Sequence, residues 1–341
     1  MALISITIND KKIIEANEGA LLIDALSAQG IYLPSACGSS GKCGLCKVKV
    51  SNAAPIHTDS ELNLLTEQER MDGFHLACQV KITSSLQITL APEFLSAQDY
   101  ISVLEKKVFL TRDIVELTLK LISPTSISFH AGQYITLKMP SVADRKAAFR
   151  PFSIASSNTE HSFIQLNIRL NPEGTVTPWI FNELKEGQEV RFSGPRGNFY
   201  IRNTLRPMLF IAGGSGMAPV RSILKTMRDH RSNRPALFFF GALTQKDLFY
   251  LDEMQVLQKD LPGFVFTPAL SNEPQESDWK GERGLITEVM DRIIKGNLAE
   301  YEAYLCGKPA MVNGCIPLLE KKNIQKERVF YDLFNSPKQV K

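Results

Sequence analysis

Hydrophobic and polar residues alternate in short runs along the first 95 residues, and one longer helical period interrupts them. Leu3 to Asn9 and Lys12 to Ala16 alternate with a period of two, which is typical of strands, whereas Leu21 to Gln29 follows the 3.6-residue period of a helix. The later predicted elements are strands at Cys46 to Val50, Phe74 to Val80 and Leu86 to Leu90, with a short helix at Thr66 to Met71. The pattern predicts a small mixed domain at residues 1–95 and a linker around Phe94 to Tyr100.

Alternation with a period of two continues almost without interruption from Ile101 to about Ile201. Proline and glycine punctuate it at Ala131-Gly132, Met139-Pro140 and Gly194-Pro195, where turns are expected. Many short strands joined by such turns predict an antiparallel β-barrel at residues 100–203.

From Met208 onward, apolar strands are separated by helical stretches. The predicted strands are Met208 to Ala212, Ala236 to Phe240, Phe264 to Leu270, Ala303 to Cys306 and Val329 to Tyr331. Repeated strand–helix units predict a parallel sheet covered by helices at residues 205–341. A length of 341 residues suits two or three domains. The predicted fold class is therefore multidomain, an α+β domain and an antiparallel barrel followed by an α/β domain.

The net charge of +3 hides an uneven distribution. Residues 1–95 carry 7 Lys and Arg against 10 Asp and Glu, and the rest of the chain carries 32 against 26. Opposed charges favour docking of the two parts, although scattered solubilising charge explains them equally well. There is no footprint for nucleic acid. No long uninterrupted apolar stretch predicts a transmembrane helix, and Met1 to Ile8 does not resemble a signal peptide, so we expect a cytoplasmic protein.

Four of the six cysteines lie in the first 78 residues, at Cys37, Cys43, Cys46 and Cys78. The first three frame the loop Cys-Gly-Ser-Ser-Gly-Lys-Cys-Gly-Leu-Cys. An iron–sulfur cluster needs four thiolates around a compact centre, and glycines let backbone N–H groups approach the sulfurs. The spacing resembles that of [2Fe–2S] ferredoxin domains, with five residues between the first two cysteines, as in vertebrate-type ferredoxins, rather than the four of the plant form. The resemblance implies a β-grasp domain in which these four cysteines bind the cluster.

A zinc site is the alternative for the same segment. It would use Cys43 and Cys46 with His75 and Cys78, but it leaves Cys37 and the glycine loop unexplained. Four structural thiols without a metal are a further alternative. Colour separates these possibilities, since zinc is colourless and a [2Fe–2S] centre is red-brown.

A second motif, Arg150-Pro151-Phe152-Ser153, lies in the predicted barrel, and Gly174 to Thr177 follows at a candidate helix start. A flavin needs a cation and N–H groups for its pyrophosphate, an aromatic face for its ring and a polar group near N5. The two segments resemble the Arg-x-Tyr-Ser and Gly-x-x-Ser/Thr motifs of the ferredoxin–NADP reductase superfamily, which implies a six-stranded FAD-binding barrel. By that resemblance Arg150, Gly174 and Thr177 would bind the pyrophosphate. Phe152 would pack on the flavin ring without the usual tyrosine hydroxyl, and Ser153 would lie near N5.

A third motif, Gly213-Gly214-Ser215-Gly216-Met217-Ala218-Pro219, connects a predicted strand to a predicted helix. Glycines let the backbone approach a diphosphate, and the helix start offers N–H groups and a favourable dipole. The motif differs from the Gly-x-Gly-x-x-Gly fingerprint. It resembles the Gly-Gly-Ser/Thr-Gly-x-x-Pro of the same superfamily, which implies that Gly213, Gly214, Ser215 and Gly216 bind the dinucleotide.

The segment Cys306-Gly307-Lys308-Pro309-Ala310-Met311 ends a late predicted strand, and Phe334 closes the last apolar run. The superfamily has Cys-Gly-Pro-x-x-Met here, with the cysteine near the reacting nicotinamide carbon, and it ends on an aromatic residue that covers the flavin. The resemblance implies that Cys306 and Gly307 border the nicotinamide and that Phe334 covers the flavin ring. Ser153, Cys306 and Phe334 are therefore the candidate catalytic residues. Lys308 replaces a proline and adds a positive charge.

Each of these residues also has a structural explanation, which the sequence leaves open. Arg150 would suit an ordinary strand with a surface arginine, and the glycines would suit a tight turn without a ligand. Lys308 would then be a solvated loop residue, and Cys306 and Phe334 would be core residues. Cys315, which no motif includes, is predicted to be core.

Coenzyme preference depends on the loop after the second strand of the predicted parallel sheet. Lys246 and Asp247 stand there, without the clustered basic residues that a 2′-phosphate requires. The loop favours NADH over NADPH.

The order of ferredoxin domain, flavin barrel and nicotinamide domain resembles that of NADH-dependent reductase components of bacterial oxygenases. It implies an oxidoreductase that passes electrons from NADH through FAD and a [2Fe–2S] cluster to a partner protein, for which we expect an oxygenase component. The alternatives are the CDP-6-deoxyglucoseen reductase, which serves a dehydratase, and a soluble relative of the flavin subunit of sodium-translocating NADH:quinone reductases. Those pump subunits begin with a membrane helix, which Met1 to Asn9 is not expected to supply. A redox sensor or scaffold without turnover is a third class. We expect a monomer.

Overall fold

The computed structural model describes residues 2–33, 35, 39–52, 55–91, 94–95, 97–141 and 147–334. These residues form three sheets, one in each predicted domain. The fold class predicted from the sequence is confirmed, as multidomain α+β and α/β. The limits of the three domains stay predictions.

The N-terminal sheet has five strands in the order β2-β1-β5-β3-β4. Its strands are β1 Leu3–Ile8, β2 Lys12–Asn17, β3 Lys47–Val50, β4 Phe74–Leu76 and β5 Leu86–Thr89, and its helices are α1 Leu22–Ala28, α2 Asp59–Leu64 and α3 Glu67–Met71. Strand β1 pairs antiparallel with β2 and parallel with β5, and the alternating apolar side chains of β1 enter the core beneath α1. The alternation seen in the sequence therefore marks the buried face of this sheet.

Two elements of this domain differ from the prediction. The strand expected from Phe74 to Val80 stops at Leu76, because the chain turns there and the N–H groups of Gln79 and Val80 both donate to Leu76 O. Helix α2 was not predicted. It starts at a capping box in which Thr58 and Glu61 satisfy each other's backbone N–H groups.

The middle domain is a six-stranded antiparallel barrel with the strand order β10-β7-β6-β11-β8-β9. Its elements are β6 Gln98–Phe109, β7 Ile114–Ser123, β8 Tyr134–Met139, β9 Ala148–Ser153, β10 Phe163–Arg169, helix α4 Val176–Asn182 and β11 Glu189–Arg196. A bridge between Ile154 and Leu166 joins the two outer strands, β9 and β10. The first strand begins at Gln98, inside the predicted linker.

The C-terminal sheet is parallel, with the order β15-β14-β13-β12-β16-β17. Its strands are β12 Met208–Gly213, β13 Ala236–Ala242, β14 Phe264–Leu270, β15 Glu282–Arg283, β16 Glu302–Gly307 and β17 Val329–Leu333. The helices are α5 Met217–Asp229, α6 Leu251–Asp260, α7 Ile286–Ile293 and α8 Pro309–Lys321. Strand order reverses between β12 and β16, which is where sheets of this kind bind ligands at the carboxyl ends of their strands.

Buried charged groups join the barrel to this domain. Arg221 of α5 is 4% exposed and donates two hydrogen bonds to the carboxylate of Glu253, at 2.7 and 2.8 Å. Its Nη1 reaches into the barrel, to Glu116 Oε2 at 3.1 Å and Gln165 Oε1 at 3.0 Å. Arg221 therefore pairs with Glu253 of its own domain and gives Glu116 of the barrel its partner across the contact.

In the described parts of the chain, no helix has both the length and the hydrophobicity that crossing a lipid bilayer requires. Cys315 lies in the core between α8 and the parallel sheet, as predicted.

Candidate functional site

A cavity of about 980 Å³ lies where the barrel, the parallel sheet and the N-terminal domain meet. This volume is at the upper end of the range for ligand sites. Of the predicted site residues, those that line the cavity are Arg150, Phe152, Ser153, Gly174, Thr177, Gly213, Ser215 and Phe334. The cavity therefore brings together residues from four motifs that are far apart in the sequence.

Strand β9 supplies one wall of the cavity. Ser153 is almost fully buried at its end, whereas Arg150 and Phe152 are half-buried. Arg150 Nη1 donates a hydrogen bond to Phe149 O at 2.8 Å, so the guanidinium end of the side chain is held against the backbone of its own strand. The wall thus offers a cation, an aromatic ring and a hydroxyl in succession.

The loop before α4 supplies the adjoining wall. Gly174 N donates to Asn171 O at 2.9 Å, and the Thr177 hydroxyl donates to the same oxygen at 3.1 Å. Thr177 Oγ1 also accepts from Asn171 N at 2.9 Å. The Thr177 side chain therefore shapes the loop from Asn171 to Thr177, whose residues Gly174 to Thr177 border the cavity.

Two glycine-containing turns meet at the reversal point of the parallel sheet. Ala212 and Cys306 are register partners on β12 and β16, so Gly213–Gly216 and Gly307 follow directly at the carboxyl ends of these strands. A β-carbon added at Gly216 would lie 2.3 Å from Cys306 O, a distance at which atoms clash. The two backbones approach so closely that only glycine fits at position 216.

Strand β17 brings the end of the described chain back to this point. Phe334 N donates to Gly307 O at 2.8 Å, and Asp332 is the register partner of Cys306. Burial raises the pKa of Asp332 to about 6. Burial, and then the charge of Asp332, raises the pKa of the Cys306 thiol, so this thiol is neutral. A carboxyl group that titrates near pH 6 thus lines the cavity beside Phe334.

The N-terminal domain places its cysteine loop against the same cavity. Leu45, which stands between Cys43 and Cys46, lines it. Cys43, Cys46 and Cys78 are buried, and Cys46 is hydrogen-bonded to Cys78. This contact, followed by burial, raises the pKa of the Cys46 thiol, and Cys43 adds to the effect. Three of the four predicted ligands are therefore neighbours, which suits a cluster held by thiolates; Cys37 lies outside the described residues.

The zinc alternative requires four residues that the structure does describe: Cys43, Cys46, His75 and Cys78. His75 Nδ1 instead lies 3.1 Å from Glu61 Oε1, and its ring stacks on His57 at 4.3 Å between centroids. Burial alone would raise the pKa of Glu61, but hydrogen bonds from His75, Thr58 and Leu76 lower it to about 2. His75 is thus committed to a carboxylate.

Several cavity residues were not singled out from the sequence. Leu45, Asp332 and Arg202 are the clearest cases. The Arg202 guanidinium lies over two rings, 4.6 Å from the Tyr200 centroid and 4.4 Å from that of Phe330, and so links the barrel to β17. The sequence did offer one signal for Asp332, because it is the single acidic residue in the apolar run of residues 329–334. Lys308, noted as a departure from the superfamily motif, lines the cavity at the start of α8.

Three family models match the chain in succession. They describe a 2Fe-2S iron-sulfur cluster binding domain at residues 6–83, an oxidoreductase FAD-binding domain at residues 102–201 and an oxidoreductase NAD-binding domain at residues 210–316. Over 97% of its length the chain is 32% identical to one subunit of the Na(+)-translocating NADH-quinone reductase of Haemophilus influenzae (strain 86-028NP), and the match covers 90% of that subunit. It is 30% identical, again over 97% of its length, to the subunit of the same name in Neisseria gonorrhoeae, of which 91% is covered. The chain belongs to the ferredoxin–NADP reductase superfamily.

Two solved structures share the fold of this chain over nearly their whole length. An Amycolatopsis cytochrome P450 reductase is similar over 97% of this chain and 98% of its own, with a TM-score of 0.77 and 26% identity. The ferredoxin reductase in carbazole 1,9a-dioxygenase shares the fold over 98% and 99% of the two chains, with a TM-score of 0.74 and 24% identity. The predictions of an NAD(P)H-dependent flavin and iron–sulfur oxidoreductase, with FAD and a [2Fe–2S] cluster as cofactors, are confirmed.

Proposed function

We propose that this reductase takes electrons from NADH and delivers them, through FAD and the [2Fe–2S] cluster, to a separate acceptor protein, with an oxygenase component as the first candidate. The observation that carries the proposal is the single cavity bordered by all three parts of the chain. Ser153 of the barrel, Ser215 of the parallel sheet and Leu45 of the cysteine loop line it together. An electron can thus enter and leave the flavin site without a large movement of the chain.

The residues of the barrel would hold and orient the flavin. Arg150 and the backbone N–H groups of Gly174 to Thr177 suit the pyrophosphate of FAD, and Phe152 suits the flat face of its ring. The Ser153 hydroxyl would hydrogen-bond near N5. When bound, FAD supplies the conversion between the electron pair of NADH and the single electrons that the cluster carries. The chain's own contribution is therefore to position the groups and to exclude water.

The parallel sheet would hold NADH. Gly213 to Gly216 offer the backbone N–H groups at the start of α5, and Lys308 adds a cation at the cavity wall. Cys306 and Gly307 would border the nicotinamide, and Phe334 would cover the flavin ring until the nicotinamide replaces it. Asp332, beside Cys306, would face the positive charge that the nicotinamide acquires when it is oxidised.

Replacing Asp332 with asparagine tests this last role. A carboxyl group with a pKa of about 6 is charged above that pH, so NADH-driven bleaching of the flavin should accelerate as the pH rises from 5 to 7 in the wild type. In Asp332→Asn we expect a flat profile and a rate about tenfold lower at pH 7, which corresponds to ~1.4 kcal/mol of lost charge stabilisation. Stopped-flow absorbance at the flavin band measures both. A profile in the variant that still turns near pH 6 would assign the titration to another group.

The turn after β13, at residues 244–247, supports a preference for NADH over NADPH. After β13, Asp247 accepts hydrogen bonds from Thr244, and the neighbouring Gln245 bonds the carboxylates of Glu273 and Asp278. Hydrogen bonds from Gln245 lower the pKa of Glu273, which is therefore anionic. Three carboxylates around this turn outnumber its two cations, Lys246 and Arg283, and would disfavour a 2′-phosphate.

Two observations bear on the acceptor. The likeness to a cytochrome P450 reductase over nearly the whole chain favours an oxygenase partner. The 32% identity to one subunit of a Na(+)-translocating NADH-quinone reductase favours, as the second candidate, a quinone-reducing membrane assembly.

The deciding experiment mixes the purified holoprotein with either the soluble fraction or washed membranes of its native cell and follows coenzyme oxidation. We expect the soluble fraction to stimulate NADH oxidation, and we expect kcat/KM for NADH to exceed that for NADPH by more than about tenfold. Stimulation by washed membranes alone would favour the second candidate. Failure of NADH to bleach the bound flavin would overturn the proposal of electron transfer itself.

A further inference from the structure

A second contact between the N-terminal domain and the barrel lies beside the cysteine loop. Tyr32, five residues before Cys37, stacks on Phe149 of β9 with 4.7 Å between ring centroids and an interplanar angle of 27°. Phe149 directly precedes Arg150, which lines the flavin cavity. Lys138 Nζ lies 5.8 Å from the Phe149 centroid. Tyr32 thus connects the segment that leads into the cysteine loop to the strand that carries the flavin motif.

Tyr32 also lies over a buried cation. Arg196, at the end of β11, is 0% exposed, and its Cζ is 5.8 Å from the Tyr32 ring centroid. Its Nη1 donates to Thr136 Oγ1 at 3.1 Å and to Ser193 Oγ at 2.8 Å, whereas Nε and Nη2 have no hydrogen-bond partner among the residues that the structure describes. The ring face of Tyr32 is therefore an electrostatic partner of this guanidinium, and cation–π attraction is strongest where water is excluded.

The residues around Tyr32 and Arg196 also favour a specific contact between the two domains. Burial lowers the pKa of Arg196, and the charge of Asp99 opposes that shift. Burial, and then Asp99, raises the pKa of Tyr32, which is therefore a neutral ring. A β-carbon at Gly30 would lie 3.9 Å from Asp99 Oδ2, so the segment before Tyr32 packs on the first strand of the barrel as well. The contact between the two domains thus contains an acid, a cation and two aromatic rings: Asp99, Arg196, Tyr32 and Phe149.

The position of the cysteine loop decides how well an electron can leave the flavin site. Leu45 lies between two predicted cluster ligands and lines the same cavity as Phe152. Electron transfer slows steeply as two redox centres separate, and small displacements of reacting groups have large effects on rate. The contacts that hold the N-terminal domain on the barrel therefore set the rate of electron transfer from the flavin to the cluster.

We propose that Tyr32 is a positioning residue for electron transfer between the flavin and the iron–sulfur cluster, and that its contacts with Phe149 and Arg196 hold the cysteine loop against the flavin cavity. The inference rests on the proposed order of electron flow. The Tyr32 contacts lie outside the predicted nucleotide site. Tyr32 therefore acts on electron transfer from the flavin to the cluster and leaves reduction of the flavin by NADH unchanged.

The test compares Tyr32→Leu, which removes the ring, with Tyr32→Phe, which keeps it. With the FAD- and cluster-loaded protein, anaerobic stopped-flow separates flavin bleaching by NADH from the later bleaching of the cluster. We expect Tyr32→Leu to slow the cluster phase by about tenfold or more, with the flavin phase within about twofold of wild type. We expect Tyr32→Phe to match wild type in both phases. In the oxidised resting protein, limited proteolysis should release the N-terminal domain faster from Tyr32→Leu than from Tyr32→Phe.

Three outcomes would overturn the proposal: an unchanged cluster phase in Tyr32→Leu, equal slowing of both phases, or equal slowing in Tyr32→Phe. Should Tyr32→Leu fail to retain its cluster, Phe149→Leu removes the same stack from the barrel side and is judged by the same criteria, after its flavin content is measured. If NADH does not bleach the flavin of the wild type, the proposed function fails instead. The proteolysis comparison then still tests whether Tyr32 holds the N-terminal domain on the barrel. Equal rates of release of that domain from the two Tyr32 variants would overturn this role.

Discussion

Cys46→Ser should remove the [2Fe–2S] cluster and interrupt electron delivery beyond the flavin. Cys46 is 1% exposed and hydrogen-bonded to Cys78, so a serine there presents a poorly ionised hydroxyl where the cluster needs a thiolate. Loss of partners that merely support a metal ligand costs about 10–100-fold, and we expect the loss of the ligand itself to lower reduction of a cluster-dependent acceptor by more than about 100-fold. Iron content, the visible spectrum and cytochrome c reduction measure the effect. NADH should still bleach the flavin.

Cys315→Ser is the matched control, because Cys315 is also a buried cysteine but lies in the core of the parallel sheet. It should retain its iron and both bleaching phases. Equal iron loss in the two variants would mean that Cys46 has no special role. Full iron content in Cys46→Ser would remove that residue from the ligand set.

Gly216→Val should have the largest effect at the nucleotide site. A β-carbon at this position would lie 2.3 Å from Cys306 O and 2.8 Å from Cys306 C, and backbone atoms cannot rotate away as a flexible side chain can. Either β16 or the turn after β12 must shift, and a displacement on the order of 1 Å in a reactive complex costs about 100-fold in rate. We therefore expect NADH to bleach the flavin about 100-fold more slowly. Dithionite, which does not need the nucleotide site, should bleach it as in wild type.

Gly296→Ala is the control for a glycine substitution in the same domain, since a β-carbon there meets nothing within 4 Å. It should leave the NADH-driven rate unchanged. If Gly216→Val retains the wild-type rate, the close approach of the two turns does not shape the nucleotide site. If dithionite bleaching is also slow, the damage has spread to the flavin.

The parts of this site that depend on local backbone geometry could be predicted from the sequence. The turn at Gly213 to Gly216 needs glycine because two strand ends nearly touch. The barrel shows as alternation where a strand buries one face, as β6 does from Tyr100 to Leu104. Asp332 could not be predicted in the same way. Its place beside Cys306 depends on the register of two parallel strands that a whole helix separates in the chain.

Contacts between domains were also beyond prediction. Leu45 is unremarkable in the sequence, and it becomes a cavity residue only because the N-terminal domain packs on the barrel. Helix α2 is a different case. Its capping pair, Thr58 and Glu61, was visible in the sequence, but the helix has only six residues and shows no apolar period. The shortened strand at Phe74–Leu76 ends because the turn that delivers Cys78 starts there.

The buried ion pairs of Arg221 have a consequence for coenzyme affinity. Pulling the barrel away from the parallel sheet would leave the Arg221–Glu253 pair intact but would take Glu116 of the barrel away from both Arg221 and the Tyr250 hydroxyl. The two halves of the nucleotide crevice are therefore preassembled, and the binding free energy of NADH is not consumed in drawing them together. It remains available for aligning the nicotinamide. Substitutions in the crevice should accordingly act on affinity directly, with no closure equilibrium to buffer them.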